Sequence, residues 1–228
     1  MQFNIGERKK MNRLHYNLTF HLMLFILLCA VCCSLSPAFA ASVDVEIIRI
    51  QKAYENIKDI RGSFIQKSFM KDLKKTETFK GQFFLKRPIK MKWSYEGNNA
   101  QDVLINKDEI TIYQKKEKQA FQGKFDRDTY GQAPIALLSG FGNIQEEFAV
   151  SDKKGKLFLK PKKLMGGVLS IEIELSDGEF PIRSFTVIDS YENRIEMNLT
   201  NVKINTGLED AFFDPALPKG VTIFRQNP

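Results

Sequence analysis

The chain has 228 residues, 34 basic against 27 acidic side chains and a net charge of +7, with 43% hydrophobic and 27% charged residues. That length suits a single domain, and that composition suits a globular one. With only 14 Gly and 8 Pro, collagen-like, low-complexity and disordered chains are excluded.

The first 20 residues carry Arg8, Lys9, Lys10 and Arg13 against one acid, Glu7. An apolar run over residues 22–33 follows, then a break at Ser34–Pro37, then Ala38-Phe39-Ala40. This is the order of a secretory signal peptide. The run is about 12 residues, short of the roughly 20 that a spanning helix needs. Cleavage is expected after Ala40, leaving residues 41–228 as one mature domain with a net charge of +4. Cys29, Cys32, Cys33, His15 and His21 all lie in the leader. The mature domain therefore has no disulfide, no Ser-His-Asp triad, no Cys nucleophile and none of the usual zinc or copper ligands. Leu28 precedes Cys29 and Val31 precedes Cys32, so neither sits behind the small residue that a lipid-modified Cys requires. We expect an exported, unlipidated protein that is not an enzyme and takes no metal or cofactor.

Residues 43–58 read as an amphipathic helix. Ser42 suits its cap, and Ile47, Ile50, Tyr54 and Ile57 form one apolar stripe, as for a helix laid over a sheet. From residue 60 the period becomes two. Phe83 and Leu85 share a face, as do Met91, Trp93 and Tyr95, with polar residues between them. Eleven strands are predicted: 61–71, 76–86, 90–96, 101–106, 109–114, 118–125, 146–152, 156–161, 168–176, 182–188 and 194–204. A slip in alternation at Thr200-Asn201 suggests a β-bulge. The short turns between strands imply an antiparallel meander, curved or closed as a barrel. Residues 126–145 break the pattern. Pro134 opens a short apolar helix with Ile135, Leu137 and Leu138, and Gly140 ends it.

The mature part holds 15 Phe, 5 Tyr and one Trp. An aromatic core accounts for some of these. A curved sheet with helices across its mouth would also enclose an apolar volume, which favours a hydrophobic-ligand carrier over a structural module. Carboxylate pairs such as Asp126 with Asp128, or Glu146 with Glu147, are ordinary surface features and make a weak case for a hydrolase. The lysine-rich stretches 71–75, 153–156 and 160–163 lack interleaved aromatics, so nucleic acid is not expected, while a weak attraction to anionic lipid headgroups is compatible with them. Arg87 continues the face of Phe83 and Leu85. It is either a strand-end cation reaching solvent or an interior cation that binds carbonyl groups.

Five segments together resemble one family. They are Arg61-Gly-Ser-Phe64-Ile-Gln66, Gly81-Gln-Phe-Phe-Leu-Lys86-Arg87-Pro88, Lys92-Trp93-Ser-Tyr95, Ala133-Pro-Ile-Ala-Leu-Leu138 and Phe213-Asp-Pro215-Ala-Leu-Pro218-Lys-Gly220-Val221. In order and spacing they are similar to the periplasmic outer-membrane lipoprotein carriers of the LolA family. The resemblance implies a mainly β fold, an incomplete antiparallel barrel of about eleven strands with an α-helical lid. It implies a monomeric periplasmic chaperone that binds the acyl chains of lipoproteins. Its partners would be an inner-membrane ABC transporter that releases them and an outer-membrane acceptor lipoprotein or the outer membrane itself, with no nucleic acid. The cavity would be lined by Phe64, Phe83, Leu85, Met91, Trp93 and Tyr95, closed by Ile135, Leu137 and Leu138, and latched by Arg87. Met91 stands where some members carry an aromatic residue. A carrier or sensor of free lipids or glycolipids in the same fold is the alternative.

Overall fold

The computed structural model describes residues 37–88, 90–125, 144–153 and 155–226. The chain divides into a unit ending at Asp44 and a larger one, Val45–Pro228, which holds the whole sheet. Helix α1 spans Pro37–Asn56. It begins earlier than the cap expected at Ser42, because Pro37 suits a first helical turn and Ala38, Ala40 and Ala41 are the best helix formers. In the larger unit its Ile47, Ile50 and Tyr54, with Ile57 just beyond, are buried as the expected stripe.

Twelve strands follow: β1 (Asp59–Met70), β2 (Lys75–Lys86), β3 (Lys90–Tyr95), β4 (Gln101–Asn106), β5 (Glu109–Gln114), β6 (Gln119–Lys124), β7 (Phe148–Lys153), β8 (Lys156–Pro161), β9 (Val168–Leu175), β10 (Ile182–Asp189), β11 (Arg194–Ile204) and β12 (Thr222–Arg225). A single helical turn, α2 (Ile144–Glu147), precedes β7 and takes up the two residues with which that strand was expected to begin. The eleven predicted strands are all present, their ends within two residues of expectation. β12 is the twelfth, and its four residues are too few to show a period.

The strands form one sheet in the order β12-β6-β5-β4-β3-β2-β1-β11-β10-β9-β8-β7. Neighbours are antiparallel except β12, which runs parallel to β6 from Thr222↔Gln119 to Arg225↔Gln122. Among the described residues the order has two ends, β12 and β7, rather than a closed ring. β1 and β2 pair along their full length, from Asp59↔Lys86 to Met70↔Lys75, and form the spine. The slip at Thr200-Asn201 is a bulge: Arg61 pairs with Lys203 and Ser63 with Thr200, and Asn201 takes a φ of 53°.

Alternation gives the sheet an inner and an outer face. On the inner face one cross-strand row runs Gln66, Met197, Phe185, Ile173 and Leu157, all buried. The tail crosses the outer face. Its 3-10 turn, Asp210–Phe213, buries Phe213 and sets the Phe212 ring 4.7 Å from that of Phe84 and under Lys92 Nζ at 4.6 Å. Lys86 and Lys90 reach Asp210 at 2.7 and 2.9 Å, and their hydrogen bonds hold its carboxyl down at about 2. Phe84, whose outer-face neighbours along β2 are the exposed Gln82 and the half-buried Lys86, is thereby covered by a segment more than a hundred residues downstream.

Candidate functional site

Phe64 on β1, Phe83 and Leu85 on β2, and Met91, Trp93 and Tyr95 on β3 all project from the inner face. Strand pairing brings them together: Leu85 lies opposite Met91, Phe83 opposite Trp93, and Gly81 stands between Phe64 and Tyr95. Trp93 stacks on Phe83 at 5.2 Å and sits 4.7 Å from Phe64, whose edge meets Tyr95 at 5.2 Å. Pairs of this kind add about 0.5–1.5 kcal/mol each beyond simple burial. Five of the six are buried and Tyr95 is partly exposed. The Tyr95 hydroxyl donates to Gln66 Oε1 at 3.0 Å, and Gln66 Nε2 donates to Ser68 Oγ at 2.9 Å, so the cluster ends in a short polar relay. Burial pushes the Tyr95 phenol up to about 12, against the lowering effect of the Trp93 indole N–H.

Two glycines let these rings lie flat on the sheet. A Cβ on Gly62 would stand 2.8 Å from Phe83 Cε1. A Cβ on Gly81 would fall on the carbonyl oxygen of Ser94 and 3.0 Å from Phe64 Cε1. Phe83 therefore rests over Gly62, and Phe64 over Gly81, an arrangement in which an aromatic ring covers backbone that a glycine leaves bare.

The same face continues outward. Trp93 pairs with Val103, Val103 with Ile112, Ile112 with Phe121, and Phe121 with Phe224 of β12. Phe121 and Phe224 stack at 5.1 Å, yet remain 41% and 45% exposed. A buried aromatic floor thus passes into an exposed apolar apron. Sequence reasoning missed the apron. Phe121 and Phe224 are each the single aromatic of a short strand, and only the parallel β12–β6 pairing aligns them.

Arg87 follows β2 directly and is exposed, but it does bind a carbonyl. Its Nη1 donates to the carbonyl of Tyr54 at 2.8 Å, and its backbone N–H donates to the carbonyl of Lys58 at 3.0 Å. A cation at a helix C-terminus satisfies the last carbonyls and complements the dipole. The partner is thus the end of α1. Ile135, Leu137 and Leu138 of the expected lid lie outside the described residues.

At the same end of the sheet, Asp59 forms an anchor that sequence reading overlooked. The side chain, 4% exposed, accepts bonds from Thr206 N–H (2.7 Å), Thr206 Oγ1 (2.8 Å) and Gly207 N–H (2.9 Å). Asn205 beside it accepts from the Lys58 N–H and donates to the carbonyl of Asn56. Burial alone would raise the Asp59 carboxyl, but its bonds to Thr206, Gly207 and Leu208 outweigh this and hold it below the ordinary range. A depressed carboxylate contributes stability that is complete above the unfolded value near 4 and is lost as pH falls through the folded one. Asp59→Asn should therefore lose about 2–3 kcal/mol at neutral pH, a melting temperature lower by about 5–10 °C. The gap to the parent protein should close toward pH 3. A constant gap across a pH series of thermal melts would show that shape, not charge, is what Asp59 supplies.

Among the described residues, no three His, Cys, Asp or Glu side chains are grouped so as to hold a metal ion. The family model for the outer membrane lipoprotein carrier protein LolA matches residues 55–216. The chain belongs to the LolA family. The outer-membrane lipoprotein carrier protein of Bordetella avium is 25% identical over 197 residues, covering 84% of this chain and 92% of that one. The carrier of Neisseria meningitidis serogroup C is 25% identical over 209 residues, covering 89% and 96%. A conserved protein of Thermus thermophilus, described as uncharacterized, superposes with a TM-score of 0.52 at 10% identity, covering 81% of this chain and 99% of that one, and shares the fold alone. Membership of the LolA family makes this chain a periplasmic lipoprotein carrier and not an enzyme.

Proposed function

We propose that this LolA-family chain takes up the acyl chains of lipoproteins leaving the inner membrane and carries them to the outer membrane. The acyl chains lie along the inner face, over Phe64, Phe83, Leu85, Met91, Trp93 and Tyr95, and Ile135, Leu137 and Leu138 close over them as a lid on an incomplete barrel. Arg87 is the latch. An inner-membrane ABC transporter supplies the cargo and an outer-membrane acceptor lipoprotein receives it. The protein that does this is the exported chain cut after Ala40, with no lipid of its own, and its intact mass should equal that of residues 41–228.

The observation that carries the reading is the in-register apolar row from buried Trp93 to exposed Phe121 and Phe224. Each buried methylene gains roughly 0.8 kcal/mol, so a long acyl chain cannot cross water unaided, and a continuous apolar face supplies the contact it needs. Trp93 is the only Trp in the chain and reports on this face. An acylated lipopeptide should shift its fluorescence, and the same peptide without acyl chains should not. An equal response to both would remove the acyl-binding reading. Mass spectrometry of what the exported protein carries separates lipoproteins from free lipids or glycolipids.

A further inference from the structure

At the end of the strands opposite Arg87, three turns lie side by side. The β1–β2 turn joins the β10–β11 turn through Lys71, whose N–H donates to Asn193 Oδ1 at 3.0 Å and whose Nζ meets Glu192 at 2.7 Å. The β10–β11 turn joins the β8–β9 loop through the Ser190 N–H, which donates to the carbonyl of Gly167 at 2.9 Å. Each of the three carries one large apolar residue turned out to solvent: Leu73 at 68%, Tyr191 at 72% and Leu164 at 100% exposure. Turn tips favour Gly, Pro, Asn, Asp and Ser, and a Leu there contributes nothing to folding. One exposed apolar residue is ordinary, but three on one contiguous rim form a surface.

The rim is also basic. Segments 71–75, 160–167 and 189–194 hold seven Lys or Arg against three acids. Two of those acids are already engaged, Glu192 with Lys71 and Asp189 with the N–H groups of Tyr191 and Asn193. Of the lysines, Lys71 is taken up by Glu192, Lys75 pairs with Glu77 and Lys162 Nζ donates to the carbonyl of Gln145 at 2.7 Å, while Lys74, Lys162 and Lys163 are exposed around the apolar tips. Apolar prongs within a lysine collar match the interface of an anionic bilayer, where the prongs enter the headgroup layer and the lysines meet phosphate. Tyr suits that depth, with an apolar ring and a polar tip.

We propose that this rim docks the protein reversibly on the surface of an anionic lipid bilayer. The site is separate from the inner face, and it lets the carrier rest on a membrane whether or not it holds cargo. Each lysine near such a surface adds roughly a factor of five in affinity, and the contribution falls away with salt.

The test is co-sedimentation of the exported protein with vesicles of phosphatidylglycerol and phosphatidylethanolamine, against vesicles of phosphatidylcholine, at low and high salt. The parent protein should bind the anionic vesicles at low salt and release them at high salt. The triple variant Leu73→Ser, Tyr191→Ser, Leu164→Ser should bind at least tenfold more weakly, and so should Lys74→Gln, Lys162→Gln, Lys163→Gln. All six side chains are exposed, so melting temperatures should hold. Trp93 fluorescence with acylated peptide should also hold in both variants, which keeps failure of docking distinct from failure of the carrier reading. Binding that ignores vesicle charge, or that survives both sets of substitutions, overturns the proposal. So does a rim that matters for lipoprotein delivery in cells while the purified protein binds no vesicle, which would make its partner a protein.

Discussion

Arg87→Leu should leave the exported protein folded and able to take up lipoprotein, while slowing hand-off to the outer membrane about tenfold. The reason is the bond from Arg87 Nη1 to the carbonyl of Tyr54. It ties the end of β2 to the last turn of α1, the helix whose apolar stripe is buried in the core of the larger unit. Charge-assisted bonds are worth about 1.5–3 kcal/mol, and the exposure of Arg87 places this one at the low end. Under the proposed latch, the empty state loses that amount, whereas a loaded state with the latch open has nothing to lose. The balance moves toward loaded by about one power of ten. Leu keeps much of the volume but cannot bond the carbonyl of Tyr54, so entry becomes easier and reclosing no longer drives release. Arg87→Lys should fall between, since a Lys keeps the charge but lacks the planar fork. Uptake and transfer assays on the purified variants measure both steps. If Arg87→Leu abolishes uptake in a folded protein, the residue meets cargo directly and the latch account fails.

Gly81→Ala should be the most damaging single-methyl change in the sheet. The added Cβ would fall on the carbonyl oxygen of Ser94, which is backbone of the neighbouring strand and has no rotamer through which to escape. Phe64 Cε1, 3.0 Å from the added Cβ, crowds it further. Either β2 parts from β3 at the centre of the aromatic cluster, or Phe64 lifts away from Gly81 and opens a void beneath its ring. Overpacking of this kind costs about 1–3 kcal/mol, and the lost strand pairing takes the total to at least ~3 kcal/mol. The melting temperature should drop by about 6–12 °C. Gly97→Ala is the matched control. Gly97 has a φ of 85° and open space around its Cβ, so the change meets only the strain of a left-handed backbone, about 1–2 kcal/mol. Equal losses at the two positions would mean that backbone conformation, and not the contact with Ser94, is what Gly81 supplies.

Local sequence carries whatever depends on adjacent residues. Met91, Trp93 and Tyr95 could be assigned to one face because alternation is a property of adjacent residues, and the inward projection of Phe64, Phe83 and Leu85 follows the same rule. The stripe Ile47, Ile50, Tyr54 and Ile57 was equally readable, since helical period needs only a few turns of chain. The start of α1 was misplaced because a good capping residue, Ser42, competes with a run of strong helix formers before it, and the run wins. For Arg87, the sequence left two readings open. The structure joins them, because an arginine at a strand end has the reach to stay exposed and still bond the carbonyl of Tyr54.

By itself, then, the sequence determined where eleven strands lie, the bulge at Thr200-Asn201, the helix over the sheet and the aromatic inner face, all of which rest on periods of two or 3.6 residues, whereas the single meander it suggested is two antiparallel runs, β1–β6 and β7–β11, joined by the long-range pairing of β1 with β11. It also carried the family, through motifs whose residues stand close together in the chain. Tertiary structure alone decided the parallel pairing of β12 with β6, the stack of Phe121 on Phe224, the anchoring of residues 206–208 by Asp59, the belt of Phe212 and Phe213 across the outer face, and the rim of Leu73, Tyr191 and Leu164. Each of these joins segments far apart in sequence, as with Asp59 and Thr206 at a separation of 147 residues. No local pattern encodes such a meeting. It follows from which strands end side by side once the whole sheet has formed, and it is stable because the pairing of the sheet has already met the entropy of closing those long loops.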